Sequence, residues 1–139
     1  MKWIVVVLSF LFLFPSAQAQ TLSVRCKFSN GQATNFDAGI PQTNRTNDLD
    51  ELLFDQIDIK KGRARLIGNS GAATIKAFAG FESIHLIEAT EAGNMNITTI
   101  FISTKTINSN ILPVVHSRHM QTLSGPFPSQ YLGLCTKLQ

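Results

Sequence analysis

The sequence predicts an all-β domain, a small antiparallel meander barrel of about eight strands, with a β-sandwich as the alternative architecture. Three observations carry this. Short runs rich in Val, Ile, Thr and Phe follow one another at short intervals, separated by Gly, Asn and Pro turn signals. Beyond the apolar N-terminus, no segment sustains the 3.6-residue apolar period of an amphipathic helix. The two cysteines, Cys26 and Cys135, stand near the ends of the remaining chain, where one bridge would tie the first strand to the last.

The chain opens MKWIVVVLSFLFLFPSAQAQ, with Lys2 ahead of an apolar run from Trp3 to Phe14 and a small-residue exit at Ala17-Gln18-Ala19. This is the layout of a cleavable signal peptide over residues 1–19, and the run is shorter than the roughly 20 residues that span a bilayer. No cysteine adjoins the exit, so a lipid anchor is not expected. The mature chain, residues 20–139, has a length that suits a single β-rich domain. The expected location is periplasmic or secreted, with no membrane association after cleavage. In an oxidising compartment an even cysteine pair reads as a structural disulfide, Cys26–Cys135.

The elements follow in order. LSVRCKF alternates as a strand, Asn30-Gly31 reads as a hairpin turn, and QATNF as its return strand. Residues 37–50, DAGIPQTNRTNDLD, read as the longest loop, and residues 46–54 offer one helical turn capped by Asn47 or Asp48. LLFDQIDI, KKG and RARLIGN form a hairpin in which Asp55 and Asp58 face Arg63 and Arg65, a solvated charge ladder. AATIKAFA, SIHLIEAT and MNITTIFIS are the next strands, separated by Gly80 and by Glu91-Ala92-Gly93-Asn94. After the polar TKTINSN comes LPVVHSRHM, then a proline-rich loop and a last strand around Cys135.

Composition narrows the class of function. The full chain carries 12 basic and 9 acidic residues, and Lys2 leaves with the signal peptide. The only basic cluster, Lys60, Lys61, Arg63 and Arg65, has no interleaved aromatic residues, so nucleic acid is not an expected partner. GNSGAA lacks the Gly-Lys-Ser/Thr of a phosphate loop and leads into a strand. The sequons at Asn44 and Asn96 matter only in a eukaryotic secretory pathway, and Asn96 lies within a strand.

Candidate chemistry concentrates in VVHSRH. On a strand, His116 and Arg118 point to one face, Ser117 and His119 to the other. That spacing argues against a shared metal, for which only His85, with Glu88 or Glu82, would remain as further ligands. No Gly-x-Ser-x-Gly elbow supports Ser117 or Ser124 as a nucleophile. Glu88, two strands earlier, can meet His116 or Arg118 across the sheet, and Tyr131 with Phe127 can form an aromatic contact surface. The candidate binding residues are His116, Arg118, Glu88, His85 and Tyr131; no cofactor and no metal is expected.

RCKFSNGQ, ARLIGNSGAA, HLIEATEAGNMNITTIF, VVHSRH and PSQYLGLC together resemble a group of small exported bacterial proteins that brings no biochemical activity with it. More distantly, the architecture is similar to periplasmic lysozyme inhibitors, which are disulfide-stapled barrels, although their inhibitory loop motif has no clear match in this chain. The resemblance implies a bacterial, exported origin. The function expected is a non-enzymatic binding module, for a protein partner or for a small apolar or amphipathic ligand within the barrel. The alternative is a small hydrolase or lyase using His116, Arg118 and Glu88.

Overall fold

The computed structural model describes residues 21–69, 71–106 and 108–138. The expected signal peptide lies outside the described residues. Eleven strands are present and, among the described residues, no α-helix: β1 (Leu22–Asp37), β2 (Ile40–Thr46), β3 (Glu51–Asp58), β4 (Arg63–Gly68), β5 (Gly71–Gly80), β6 (Ser83–Ala89), β7 (Met95–Phe101), β8 (Ile111–His119), β9 (Gln121–Thr122), β10 (Gly125–Pro126) and β11 (Ser129–Leu138). Strands β3 to β8 form an antiparallel meander, β11 adds to β8, and β1 pairs with both β3 and β11. The result is a closed eight-stranded barrel, with β2 outside it; closure leaves no edge within the barrel.

Alternation dictates which residues line it. Along β1, Val24, Cys26 and Phe28 are buried while Arg25 and Lys27 are exposed. Phe54, Ala64, Ile75, Ala77, Leu86, Ile100, Leu112 and Val114 complete one continuous core. Curvature comes from two irregularities, between Phe28 and Asn30 of β1 and between Asp55 and Asp58 of β3. In the second, Gln56 adopts a left-handed φ of 48°, inserting one residue against β4 and bending the strand.

Cys26 and Cys135 are directly opposed on the β1–β11 ladder and joined by the disulfide. Both are fully buried, so the bridge lies inside the wall at the seam where the two ends of the chain meet.

Three expectations between residues 30 and 54 are corrected. Asn30-Gly31 is not a turn, for β1 continues to Asp37. Gly31 serves close approach instead: a Cβ there would stand 2.5 Å from the Thr46 carbonyl and 2.7 Å from the Tyr131 ring. The true turn is Ala38-Gly39, both with positive φ (48° and 82°), as a two-residue hairpin requires. The stretch read as a loop therefore contains β2, whose side chains are almost all exposed and carry no apolar alternation. The helical turn over 46–54 is likewise absent: residues 47–50 cross over the barrel end, pinned by the Phe28 amide donating to the Asp50 carbonyl at 2.9 Å, and β3 follows at once.

Candidate functional site

Strand register stacks the inward side chains of β6, β7, β8 and β11 in layers. Leu112 lies opposite Cys135, and Val114 opposite Ile100, which faces Ile84. One layer higher, His116 lies between Tyr131 and Thr98. The last layer is wholly polar: Ser129, Arg118, Asn96 and Glu88 stand side by side on four adjacent strands. The barrel thus passes from apolar to polar along its axis, toward a polar mouth that the 47–50 segment crosses.

The 47–50 crossing brings Asp48 to this mouth. The Thr46 hydroxyl donates to Asp48 Oδ1 at 2.8 Å and the Tyr131 hydroxyl donates to the same oxygen, while Arg118 Nη1 lies 3.5 Å from Oδ2. Arg118 also sits over the Tyr131 ring, 5.0 Å from its centroid. Burial works against the Asp48 carboxylate, yet the hydrogen bonds from Tyr131 and Thr46 and the Arg118 charge hold it below the usual carboxylate range. Burial, reinforced by the bond to Asp48, pushes the Tyr131 phenol up against the opposing pull of Arg118.

Beneath them, Phe28, His116 and Tyr131 form a three-ring floor with centroids 5.8–6.4 Å apart. His116 is 4% exposed, and its Nδ1 lies 2.7 Å from the Thr98 hydroxyl. Burial and the Arg118 charge lower its pKa to about 4, so the ring is neutral at physiological pH.

The five candidate residues divide. His116, Arg118 and Tyr131 form one contact cluster, and Glu88 shares the polar layer but bonds to the Asn96 amide at 2.7 Å rather than to His116 or Arg118. His85 belongs elsewhere. It lies on the outer wall, its ring nitrogens 3.0 Å from Thr99 and 3.2 Å from Ser83. Tyr131 is buried, so it forms no aromatic surface with Phe127. Asp48, Thr98, Asn96 and Ser129 complete the site without having been singled out in the sequence; the strand register would have named the last three, and only the hairpin topology names Asp48. Among the described residues no three His, Cys, Asp or Glu side chains gather as metal ligands.

Space is distributed unevenly. An interior void bordered by Glu88, Asn96, Thr98 and His116 has a volume of about 10 Å³, the room of a single water. The unpartnered Oδ1 of Asn96 is buried in this layer. Outside, a cleft of about 300 Å³ crosses Arg118 and His119 toward Thr34 and Thr43 of the β1–β2 hairpin. A second hollow of about 560 Å³ lies beside it between Arg45, Asn47 and Leu132; Gln32 and Gln130 border both.

Two hairpins accompany the mouth. The β1–β2 arm carries the half-exposed Phe36 and Ile40 near its tip, and the β9–β10 hairpin carries Leu123, the most exposed large apolar residue described. Both are anchored, the first by the Thr34 amide donating to Pro128 and the second by the Gln121 amide donating to Asn94.

The fold and site define a closed eight-stranded antiparallel barrel with a continuous apolar core, a polar mouth and two flanking hairpins. No protein-family model, curated protein or solved structure matches the chain.

Proposed function

We propose that this protein is an exported, non-catalytic binding module that holds a protein partner at its mouth, outside a filled barrel. The observation that carries this reading is the contrast in space. A carrier of drug-sized ligands uses a pocket of roughly 300–1,000 Å³ within its walls, whereas the void among the described interior residues beside His116 has room for one water and the open clefts lie across Arg118 and the β1–β2 arm. Exposed apolar residues on anchored hairpins supply what a protein surface would grip. Export is supported by the buried disulfide together with the signal-peptide pattern, and the same two features support a periplasmic or secreted location.

Binding is favoured over hydrolysis or lysis by the state of the chemical groups. Thr98 and His116 have the spacing of a hydroxyl and its base, but both are buried, and a histidine with a pKa of about 4 is a weak base at neutral pH. Arg118 is committed to Asp48 and Tyr131.

Native mass spectrometry of the mature protein from its own source tests the reading. A bare disulfide-bonded chain is expected, and an apolar molecule released only on denaturation would overturn the filled-barrel reading in favour of carriage. Photo-crosslinking side chains at Thr43 and Leu123 are expected to capture one common protein in the producing cells, and one at Lys61, in the turn at the opposite end, to capture none. Capture from Lys61 alone would move the binding surface to the other end.

A further inference from the structure

The outer surface of the barrel is divided by charge. On β1, β3 and β4 the outward positions carry Arg25, Lys27, Glu51, Asp55, Arg63 and Arg65, and ion pairs link Arg25 and Lys27 to Glu51 and Arg65 to Asp55. On β6, β7, β8 and β11 the outward positions number eighteen, and none is Asp, Glu, Lys or Arg. They include Met95, Phe101, Ile111, Leu132, Leu134 and Leu138, all more than a third exposed. Register makes the surface continuous, with Ile87 beside Ile97, Leu132 beside Val115 and Leu134 beside Pro113. Scattered exposed apolar residues are ordinary on a monomer. A four-strand wall without a formal charge is not.

We infer that this uncharged wall is a homodimer interface, covered by the same wall of a second copy. A two-fold axis sets a patch against itself, so any formal charge near the axis meets its like. The charged wall would incur that repulsion and this one does not, while apolar positions meet apolar positions. The size suits a modest dimer. Ser117, His119, Gln130 and Leu132 border the mouth clefts, and the fourteen outward positions that remain, short of Lys76 on the adjoining β5, suit a small, weak interface below the roughly 20–30 residues a side of a standard one. The neutral polar members, Thr99 and Thr136 among them, lie between the apolar ones and can bond across the axis without desolvating an ion. Pairing through the side of the barrel leaves both mouths open, so a dimer would offer two partner sites on one particle, with the gain in avidity that linkage brings.

Sedimentation equilibrium of the disulfide-bonded mature protein is expected to give a monomer–dimer equilibrium in the micromolar range. Val115→Glu, on the outward face of β8 between Thr99 and Leu132, is expected to weaken it by on the order of 100-fold, since the two-fold brings the new charge near its copy in a setting without charged neighbours. Leu123→Glu, on the β9–β10 hairpin, is expected to leave it unchanged. Amide shifts that move with protein concentration are expected on β6, β7, β8 and β11. A monomer throughout, or a dimer whose shifts fall on β2 or on the charged wall, overturns the inference. Neither result would touch the assignment of the mouth, which crosslinking at Thr43 tests separately.

Discussion

The Tyr131 hydroxyl donates to the carboxylate of Asp48, 83 residues earlier in the chain, and Arg118 lies against both. This contact fastens the crossing segment 47–50 over the barrel mouth, and it joins the middle of the polar cluster to a residue outside every barrel strand.

Removing the donor leaves the carboxylate with Arg118 and Thr46 but frees the crossing segment. Tyr131→Phe is expected to destabilise the fold by about 1.5–3 kcal/mol, the range for a hydrogen bond to a charged group, measured by urea unfolding. Asp48→Asn is expected to alter the acid limb of the stability profile. The folded pKa of Asp48 lies below its ordinary 3.8, so its contribution is present above that value and is lost as pH falls through the lower folded one. The wild type should therefore lose stability more steeply than Asp48→Asn below about pH 4. Because Asp48 is half-exposed, solvent screening keeps the effect small.

His116 should dominate the pH dependence in the range above that. Its pKa falls from 6.5 in the unfolded chain to about 4 in the barrel. The unfolded state therefore binds more protons between these values, and stability declines as pH is lowered from 6.5 toward 4, by about 3 kcal/mol in total. His116→Gln, which retains hydrogen-bonding capacity near Thr98, is expected to flatten this slope. Urea midpoints at pH 7.5 and 4.5 for the two proteins check it, and an NMR titration of the His116 ring should place its midpoint near 4.

Much of the fold was legible because burial enforces a two-residue period wherever a strand has one wet and one dry face. Val24, Cys26 and Phe28, or Leu112, Val114 and His116, announce their strands in this way. The β2 strand could not be read, since it has no dry face and exists only through its pairing with β1. Asn30-Gly31 misled because the same dipeptide that permits a tight turn also permits a backbone to pass close to an aromatic ring. Within the site, the shared face of His116 and Arg118 followed from alternation alone. Asp48 did not, as it arrives through a segment whose path depends on the projecting hairpin.

Gly31→Ala offers a direct test of that close approach. The added methyl must displace either the Tyr131 ring or the β2 backbone at Thr46, and a loss of about 1–3 kcal/mol is expected, as for other overpacked sites. Chemical shifts of Tyr131 and Asp48 should move together in this variant, because the ring and the crossing segment are fastened to each other.

The disulfide should be worth more than any of these contacts. Its sequence separation is 109 residues, and closing a loop of that size stabilises by about 4–5 kcal/mol in the chain-entropy model. Replacing Cys26 and Cys135 together by Ala is expected to lower the urea midpoint accordingly, with the strand content retained in circular dichroism.

The pairing of β1 with β11 also bears on the order of events during synthesis. The first barrel strand cannot find its last neighbour until residues 129–138 have been made, so a growing chain can assemble the β3–β8 meander but holds β1 with one side unsatisfied. Pairing at such sequence distance is slow, because loop closure must precede the contacts that reward it. The barrel therefore closes last at the β1–β11 seam, and the strand made first waits longest for its second neighbour.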